Sequence, residues 1–393
     1  MARHIVTGID IGTHHVKVVV AEEQQRSSAL PTILASVAVE SRGVRHGYIQ
    51  NPEETVRSVR IALREAEKRI DRKITRAYVS VGGVGLTSFT ATGAAIISRA
   101  DSEITALDIE KSHEACEQAI PSALSLNHKI LHSIPLSYKL DGKQALGKIE
   151  GMKTHRLEVK MLYIACLEAH VNEIISVIEG AGVEVIDVMA APLASSFITL
   201  SKTQKIAGCV LANIGAETTS IAVFENNIPV SLEVFALGST DITNDIALGL
   251  KVSLEEAEHI KIGTITSTAY PRKKLEEIIQ ARTGDIFDAI ENHLKKLHRN
   301  GLLPAGIVLI GGGSYINGIE EMARTTLKLP ARRGEMPLSR ETREIEHDTT
   351  WAVAYGLCIL GLNAEQGPSL STSLVTARKF KNNLIAWIKQ FLP

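Results

Sequence analysis

The sequence contains few cysteines, and none of them lies close to another. The four are widely spaced in apolar stretches and form no C-x-x-C motif: Cys116, Cys166, Cys209 and Cys358. Disulfide frameworks and cysteine-ligated zinc sites use closely spaced cysteines, whereas isolated cysteines in apolar sequence are usually buried thiols in a reducing compartment. The pattern therefore argues against a disulfide-rich secreted protein and against a metal bound by cysteine.

The sequence also lacks a strong net charge and a long apolar run. With a formal net charge of −1 and a pI of about 6.9, the chain has no global field that would attract nucleic acid. Asp10 interrupts the apolar stretch near the N-terminus, and no window reaches the roughly 18 apolar residues of a membrane-spanning helix. We therefore expect no nucleic-acid binding, no secretory signal and no transmembrane segment.

A strand-turn-strand motif stands near the start of the chain, at residues 6–20, with the sequence VTGIDIGTHHVKVVV. A β-branched run leads into Gly12, whose missing side chain lets backbone N–H groups approach an anion, and a second apolar run returns from Val16. Asp10 is placed to face a metal ion. A lone D-x-G-T motif also occurs in ordinary hairpins, so this stretch alone does not establish a binding site.

The motif occurs twice. Residues 10–22 align without gaps with residues 213–225, just past the midpoint of the 393-residue chain, and a third glycine turn follows the apolar residues 307–310. Two such hairpins, one in each half, predict two similar lobes that hold a polyphosphate between them. This α/β outline resembles the actin and Hsp70 superfamily.

Between the hairpins the predicted secondary structure changes from alternating helices and strands to short strands, and then returns to alternation. Asn51 and Pro52 predict the start of an amphipathic helix, and short β-like runs begin near residue 74. Residues 84–162 read as an inserted α+β subdomain, after which helical and strand-like segments alternate again up to the second hairpin.

An ordered series of longer tracts resembles FtsA, the family of bacterial actin-like cell-division proteins. Besides the first hairpin these tracts are ILHSIPLSYKLDGKQ at 130, GAGVEVIDVMAAPLASSFITL at 180, LGSTDITNDIALGLKVSLEEAEHIK at 237 and VLIGGGSYINGIEEMA at 308. The resemblance implies an actin-like, two-lobed nucleotide-binding fold in which one actin subdomain is missing and another is inserted in the first half. It also implies an ATP-binding, filament-forming adaptor that tethers FtsZ to the inner face of the cytoplasmic membrane at the division septum.

The resemblance divides the chain into seven parts. They are the first lobe at 1–83, the insertion at 84–162, the start of the second lobe at 163–240, a nucleotide-side and partner-binding subdomain at 241–303, the completion of the second lobe at 304–361, a flexible linker at 362–376 and a membrane-targeting helix at 377–393. In the family, later divisome proteins bind the inserted subdomain. The FtsZ C-terminal peptide binds the partner subdomain, where residues 271–297 form a predicted helix with a basic start.

The same resemblance predicts the residues that bind ATP and Mg²⁺. Glu258 and Lys261, three apart on a helix, would meet the ribose and adenine, and Asp10 would face the metal ion. The predicted nucleotide-binding residues are Asp10, Gly12, Thr13, His14, Lys17, Asn213, Gly215, Ala216, Thr218, Thr219, Glu258, Lys261, Gly311, Gly312 and Gly313.

Several positions depart from the family pattern. The second loop usually reads D-x-G-G-G-T-T, but here Asn213 replaces the carboxylate, and Ala216 and Glu217 would place a methyl group and a negative charge beside the phosphates. His14 stands where a small hydroxyl residue is usual. Ala191 precedes Pro192 where actin relatives that hydrolyse ATP place Glu or Gln, so we expect at most weak hydrolysis.

The C-terminal residues predict an amphipathic helix that lies in a membrane surface. After the polar residues 362–376, a helix at 378–392 would carry its large apolar side chains on one arc, with Arg378 and Lys379 near anionic head groups. The membrane-facing residues are Phe380, Leu384, Ile385, Trp387, Ile388, Phe391 and Leu392.

Two alternatives stay open from the sequence. The pilus-assembly protein PilM is also actin-like with an inserted subdomain, although it would not be expected to end in a membrane helix. An active sugar kinase or Hsp70-like ATPase should show an acidic base and a second metal carboxylate, and neither is evident here.

Overall fold

The computed structural model describes residues 4–23, 30–264, 270–336 and 348–365. The described chain forms two lobes and an inserted subdomain, each built on its own β-sheet. The predicted C-terminal helix at 377–393 lies outside the described residues.

The first half of the chain builds the first lobe around the insertion. Its elements are β1 (Ile5–Ile11), β2 (His15–Glu22), β3 (Thr32–Glu40), β4 (Val44–Arg45), β5 (Tyr48–Ile49), α1 (Pro52–Ile70), β6 (Arg76–Val81), β7 (Thr87–Ile96), α2 (Ala106–Gln118), α3 (Ser122–Ser125), β8 (His128–Leu140), β9 (Lys143–Ala145), β10 (Arg156–Leu167), α4 (Glu168–Gly180), β11 (Glu184–Ala190), α5 (Ala191–Thr199) and α6 (Lys202–Ala207).

The second half builds the second lobe and returns to the first with its last helix. Its elements are β12 (Cys209–Ile214), β13 (Thr219–Glu225), β14 (Ile228–Phe235), α7 (Ser239–Leu250), α8 (Leu254–Lys261), α9 (Arg272–Lys296), β15 (Ile307–Ile310), a 3₁₀ turn (Gly312–Tyr315), α10 (Ile319–Leu327), β16 (Ala331–Arg333), a second 3₁₀ turn (Thr349–Trp351) and α11 (Ala352–Glu365).

The two lobes have the same sheet topology. The first sheet has the order β11-β6-β1-β2-β3 and the second has the order β16-β15-β12-β13-β14. In each, the central strand pairs antiparallel with the next strand in the chain and parallel with a later one. The repeated hairpin therefore marks a repeat of the whole sheet, as the two copies of the motif predicted.

Helix α1 shows why the local predictions held. The side chain of Asn51 accepts a hydrogen bond from the backbone N–H of Glu54, Pro52 occupies the first turn, and Asp71 ends the helix in the left-handed region at φ 50°. Its buried residues recur at helical spacing against the first sheet: Thr55, Ser58, Val59, Ala62, Leu63 and Ala66.

Strand β12 divides its side chains between two cores because successive side chains point to opposite faces of a sheet. Val210, Ala212 and Ile214 pack in the core beneath α7, α8, α9 and α10. Leu211 joins the core that also contains α5, α11 and the first sheet. The second lobe is thus covered on both faces, and one of those faces continues into the first lobe.

Helices α5 and α11 cross very closely beneath the two sheets. A Cβ atom added to Gly356 would lie 1.9 Å from the carbonyl oxygen of Ala194, so glycine is required at this crossing. Leu362 is 4% exposed in the same core, and α11 continues to Glu365. The predicted linker at 362–376 is therefore wrong at its start, because residues 362–365 are helical.

The inserted subdomain is a four-stranded antiparallel sheet in the order β7-β10-β8-β9, packed against α2. Asp108 closes the first turn of α2 by accepting hydrogen bonds from the backbone N–H and the hydroxyl of Thr105, at 2.9 and 2.6 Å. The insertion thus has a small core of its own beside the first lobe.

Candidate functional site

A cavity of ≈ 580 Å³ lies between the two lobes, with both hairpins in its wall. This volume falls in the range of about 300–1,000 Å³ that small-molecule sites occupy. Thirteen of the fifteen predicted nucleotide-binding residues line it: Asp10, Gly12, Thr13, His14, Lys17, Asn213, Gly215, Ala216, Thr218, Glu258, Lys261, Gly311 and Gly312.

The two hairpins turn in the same way. The backbone N–H of Gly12 donates to the carbonyl of His15 at 3.0 Å, and that of Gly215 donates to the carbonyl of Thr218 at 2.8 Å. Behind each turn the strands keep the same register, with Asp10 opposite Lys17 and Asn213 opposite Ser220. Equivalent backbone atoms from both lobes therefore face one cavity.

The first hairpin carries two partly buried ionisable side chains, Asp10 and Lys17. The hydroxyl of Ser80 donates to Asp10 Oδ1 at 2.6 Å, while burial raises the pKa of the Asp10 carboxyl above its usual value. Burial likewise lowers the pKa of Lys17, whose ammonium donates to the carbonyl of Thr350 at 2.6 Å. A carboxylate held in this way would gain from a cation or a proton beside it.

Helix α8 supplies an ion pair to the opposite wall. Lys261 Nζ lies 2.7 Å from Glu258 Oε2, and the hydroxyl of Thr243 donates to the same oxygen at 2.6 Å. Burial alone would raise the pKa of Glu258, but the hydrogen bonds from Lys261 and Thr243 lower it below its usual value. Glu258 is thus favoured as an anion that accepts hydrogen bonds within the cavity.

The structure corrects the prediction at Thr219 and Gly313, which do not line the cavity. Thr219 begins β13, so its side chain points to the face opposite that of Thr218, and its hydroxyl donates to the carbonyl of Leu237 at 2.8 Å. Gly313 packs on Ile214, whose Cγ2 would lie 2.3 Å from an added Cβ. Both residues support the turns from behind.

Glu217 also lies elsewhere than the sequence suggested. Instead of facing the phosphate position it reaches across to the β4–β5 hairpin of the first lobe, where its carboxylate accepts the backbone N–H of His46 at 2.6 Å and pairs with Arg45 at 3.2 Å. The Glu217 side chain is only 9% exposed. This acidic residue therefore joins the two lobes and adds no negative charge to the cavity wall.

Sequence reasoning missed a second glycine turn. Gly82 and Gly83 follow β6 and line the cavity, as Gly311 and Gly312 do after β15. The signal was present, since VSVGG in the first half matches VLIGG in the second. The cavity wall also includes Trp351, which lies beside Lys17 with the ammonium 5.6 Å from its ring.

Within the described ranges, no cluster of three or more His, Cys, Asp or Glu side chains is arranged to hold a metal ion. A cation beside Asp10 would need further oxygen ligands from a bound molecule or water. In the same part of the chain no helix has the length and apolar character needed to cross a bilayer.

Comparison with known proteins gives a family. The sequence model described as Cell division protein FtsA matches residues 210–356, and the one described as the SHS2 domain inserted in FtsA matches residues 83–165. The FtsA of Neisseria meningitidis serogroup B is 30% identical, and the alignment covers 98% of this chain and 97% of that protein.

Solved structures agree on the fold. A PilM–PilN type IV pilus biogenesis complex matches with a TM-score of 0.66 at 19% identity, covering 91% of this chain and 98% of that one. MreB5 of Spiroplasma citri bound to ADP matches with a TM-score of 0.51 at 12% identity, covering 93% and 99%. These similarities show an actin-like fold, which several families share. The near full-length match to the Neisseria FtsA sequence distinguishes FtsA from the other families with this fold. The chain belongs to the FtsA family of actin-like cell-division proteins.

Proposed function

We propose that this chain binds ATP with Mg²⁺ between its lobes, and that it polymerises as an adaptor that tethers FtsZ to the inner face of the cytoplasmic membrane at the septum. The observation that carries the nucleotide site is the convergence of two equivalent hairpins, the α8 ion pair and the Gly311 turn on one cavity. The ADP bound to MreB5, a fold relative, supports the choice of ligand.

The residues in the cavity wall would suit the different parts of a nucleotide. The glycine turns leave room for phosphate oxygens, and a Cβ added to Gly312 would meet nothing within 4 Å. Asp10 would hold the metal ion, and Lys17 would pair with phosphate charge. Glu258 and Lys261 would contact the sugar and the base. Mg²⁺ would offset phosphate charge beside the Asp10 carboxylate. The second hairpin has no carboxylate at the equivalent position, because Asn213 stands there, and so it would not hold the metal ion in this way.

Hydrolysis should be weak. Ala191 lines the cavity at the start of α5, where it offers a methyl group and no proton acceptor. We expect a scaffold that responds to nucleotide, and a steady-state ATPase rate above ~1 per second, an ordinary enzymatic value, would contradict this part of the proposal.

The adaptor role rests on family membership and on two surfaces. Helix α9 buries Ile286, Phe287 and Ile290 in its own lobe, so its exposed start is the part available to an acidic FtsZ tail. Lys274 donates to the carbonyl of Gly249, which leaves Arg272 and Lys273 as the basic residues for that contact. The membrane surface is the amphipathic sequence at 377–393, outside the described residues.

The nucleotide site is tested by tryptophan fluorescence. The chain has two tryptophans, so Trp387→Phe leaves Trp351 as a single reporter in the cavity wall. Titration with ATP and with ADP, each with Mg²⁺, should change its emission with saturation. Lys261→Ala should weaken that response, whereas Lys295→Ala, which removes an exposed α9 ion pair, should not. A linear, non-saturating change in the reporter protein would contradict the site.

A further inference from the structure

Two adjacent histidines stand at the tip of the first hairpin, and both line the cavity. His14 Nδ1 and His15 Nδ1 are 2.9 Å apart, and the two rings meet edge to face with their centroids 4.3 Å apart. The backbone holds the pair in place, because the carbonyl of His14 accepts the N–H of Ser41 at 2.9 Å and that of His15 accepts the N–H of Gly12.

At that separation the two nitrogens share one proton. A neutral imidazole has one N–H and one acceptor nitrogen, so one ring donates and the other accepts. A second proton would turn both nitrogens into donors and break this bond. The pair would then offer two N–H groups to an anion, and the cavity that both rings face is where we place the phosphates.

Burial and the surrounding charged groups act on the pKa of His15, and they do not all act in the same direction. His14 and Lys17 on the same hairpin, Glu40 at the end of β3 and Asp348 ahead of α11 all act on His15, and Glu258 of α8 faces His14. Burial, together with the neighbouring His14 and Lys17, lowers the pKa of His15 to about 4, whereas Glu40 and Asp348 oppose this shift. An opposite charge within about 4–6 Å commonly moves a pKa by about 1 to 3, and a polyphosphate brings several such charges.

The second hairpin has no equivalent pair. The positions that align with His14 and His15 are Glu217 and Thr218, and the Glu217 carboxylate is bonded to the β4–β5 hairpin across the cleft. A proton-linked response to phosphate would therefore belong to the first hairpin alone.

We propose that His14 and His15 act together as a proton-accepting ligand for the terminal phosphates, so that the pair takes up a proton when a nucleoside polyphosphate binds. This rests on the proposed nucleotide site and adds its regulation. Affinity for nucleotide then rises as the pH falls, by at most about tenfold per pH unit while one proton is taken up per molecule bound.

Titration calorimetry tests the proposal in full-length protein. MgADP is titrated at pH 7 in buffers of different ionisation enthalpy, with Mg²⁺ in excess so that the nucleotide phosphates are already deprotonated. The observed heat should depend on the buffer, with a slope that shows proton uptake at pH 7 and a larger uptake, approaching one proton, when the titration is repeated near pH 5.5. The double variant His14→Gln, His15→Gln should bind with no such dependence, while His155→Gln, at an exposed position in the insertion, should behave like wild type.

The outcomes distinguish a failure of the histidine proposal from a failure of the proposed nucleotide site. Saturable binding whose heat is the same in every buffer would overturn the histidine pair and leave the nucleotide site intact. Proton uptake that persists in the double variant would assign the proton to another group, such as Lys17, and would also overturn it. No saturable heat in any buffer, and no response from Trp351, would reject the nucleotide site and the histidine proposal together.

Discussion

The two hairpins share a backbone but differ in charge. Both close with the same glycine-led turn and the same cross-strand register, yet the first places Asp10 opposite Lys17 whereas the second places Asn213 opposite Ser220. At the tip, His14 faces the cavity and its counterpart Glu217 turns away to the other lobe. The two turns thus share their backbone shape, whereas the ionisable side chains that face the cavity from the hairpins lie on the first hairpin.

Under the proposed function, this asymmetry would give the two hairpins different roles. The first hairpin has a partly buried carboxylate and ammonium with shifted pKa values, and a bound cation or anion would shift those values further. The second contributes backbone groups to the cavity and an ion pair between the lobes, and it would hold the geometry in which the first hairpin binds its ligand. Substitutions that exchange or remove these features test the difference directly.

The largest effect on stability should come from the close crossing of α5 and α11, which pack in the core shared by the two lobes. Gly356→Ala places a methyl group 1.9 Å from the carbonyl oxygen of Ala194, so α5 and α11 must separate. We expect the free energy of unfolding to fall by about 3 kcal/mol, measured by chemical denaturation. In the matched control Gly284→Ala, an added Cβ on α9 meets nothing within 4 Å, so that variant should gain up to about 1 kcal/mol. Equal effects at the two glycines would contradict the close crossing.

The next largest effect should come from substitutions that exchange the carboxylate and the amide between the two hairpins. Asp10→Asn makes the first hairpin like the second and should weaken binding of Mg-nucleotide by about 10- to 100-fold, because a hydrogen-bonded charge is lost from the metal position. The Trp351 reporter measures this in the presence and absence of Mg²⁺. Asn213→Asp is the reverse exchange and should increase the dependence of binding on Mg²⁺. If Asp10→Asn bound Mg-nucleotide as tightly as wild type, the first hairpin would not hold the metal.

Much of this architecture was predictable from sequence because it rests on local patterns. The cap at Asn51, the β-branched runs and the repeated glycine turns each specify their own backbone, and the aligned hairpins implied the repeated sheet. Side-chain direction at the turns was less predictable. Thr218 and Thr219 are adjacent yet point to opposite faces, and the partner of Glu217 lies 171 residues away in the β4–β5 hairpin. Long-range pairings of this kind leave no periodic signal in the chain.

A smaller effect tests whether Glu217 joins the lobes. Glu217→Ala removes the acceptor for the His46 N–H and the partner of Arg45, and should lower the free energy of unfolding by about 1–2 kcal/mol. Hydrogen exchange should rise together in residues 44–49 and 213–219. The control Glu53→Ala breaks an exposed pair with Arg57 on α1 and should cost about 0.5 kcal/mol or less. Faster exchange in only one of the two segments would show that the contact does not couple the lobes.

The smallest effect concerns how stability depends on pH at β11, the edge strand of the first sheet, where two ionisable groups should act in opposite directions. The equivalent edge strand of the second sheet, β16, has only Arg332 and Arg333 as ionisable residues. Burial lowers the pKa of His132, which accepts the N–H of Ala190, to about 4, so the folded chain binds fewer protons than the unfolded one and loses stability as the pH falls from 6.5 toward 4.

Burial raises the pKa of Asp187 to about 6, and this group has the opposite sign: the folded chain gains stability as the pH falls through 6 toward 3.8. Between pH 7 and 5.5 each contribution amounts to about 1 kcal/mol, so in wild type they largely cancel. His132→Gln should make the protein about 1 kcal/mol less sensitive to acid over that interval, and Asp187→Asn should make it more sensitive by a similar amount. Denaturation at the two pH values gives the energies, and hydrogen exchange should place the change in β11 and not in β16; shifts of the same sign in both variants would contradict the opposing roles.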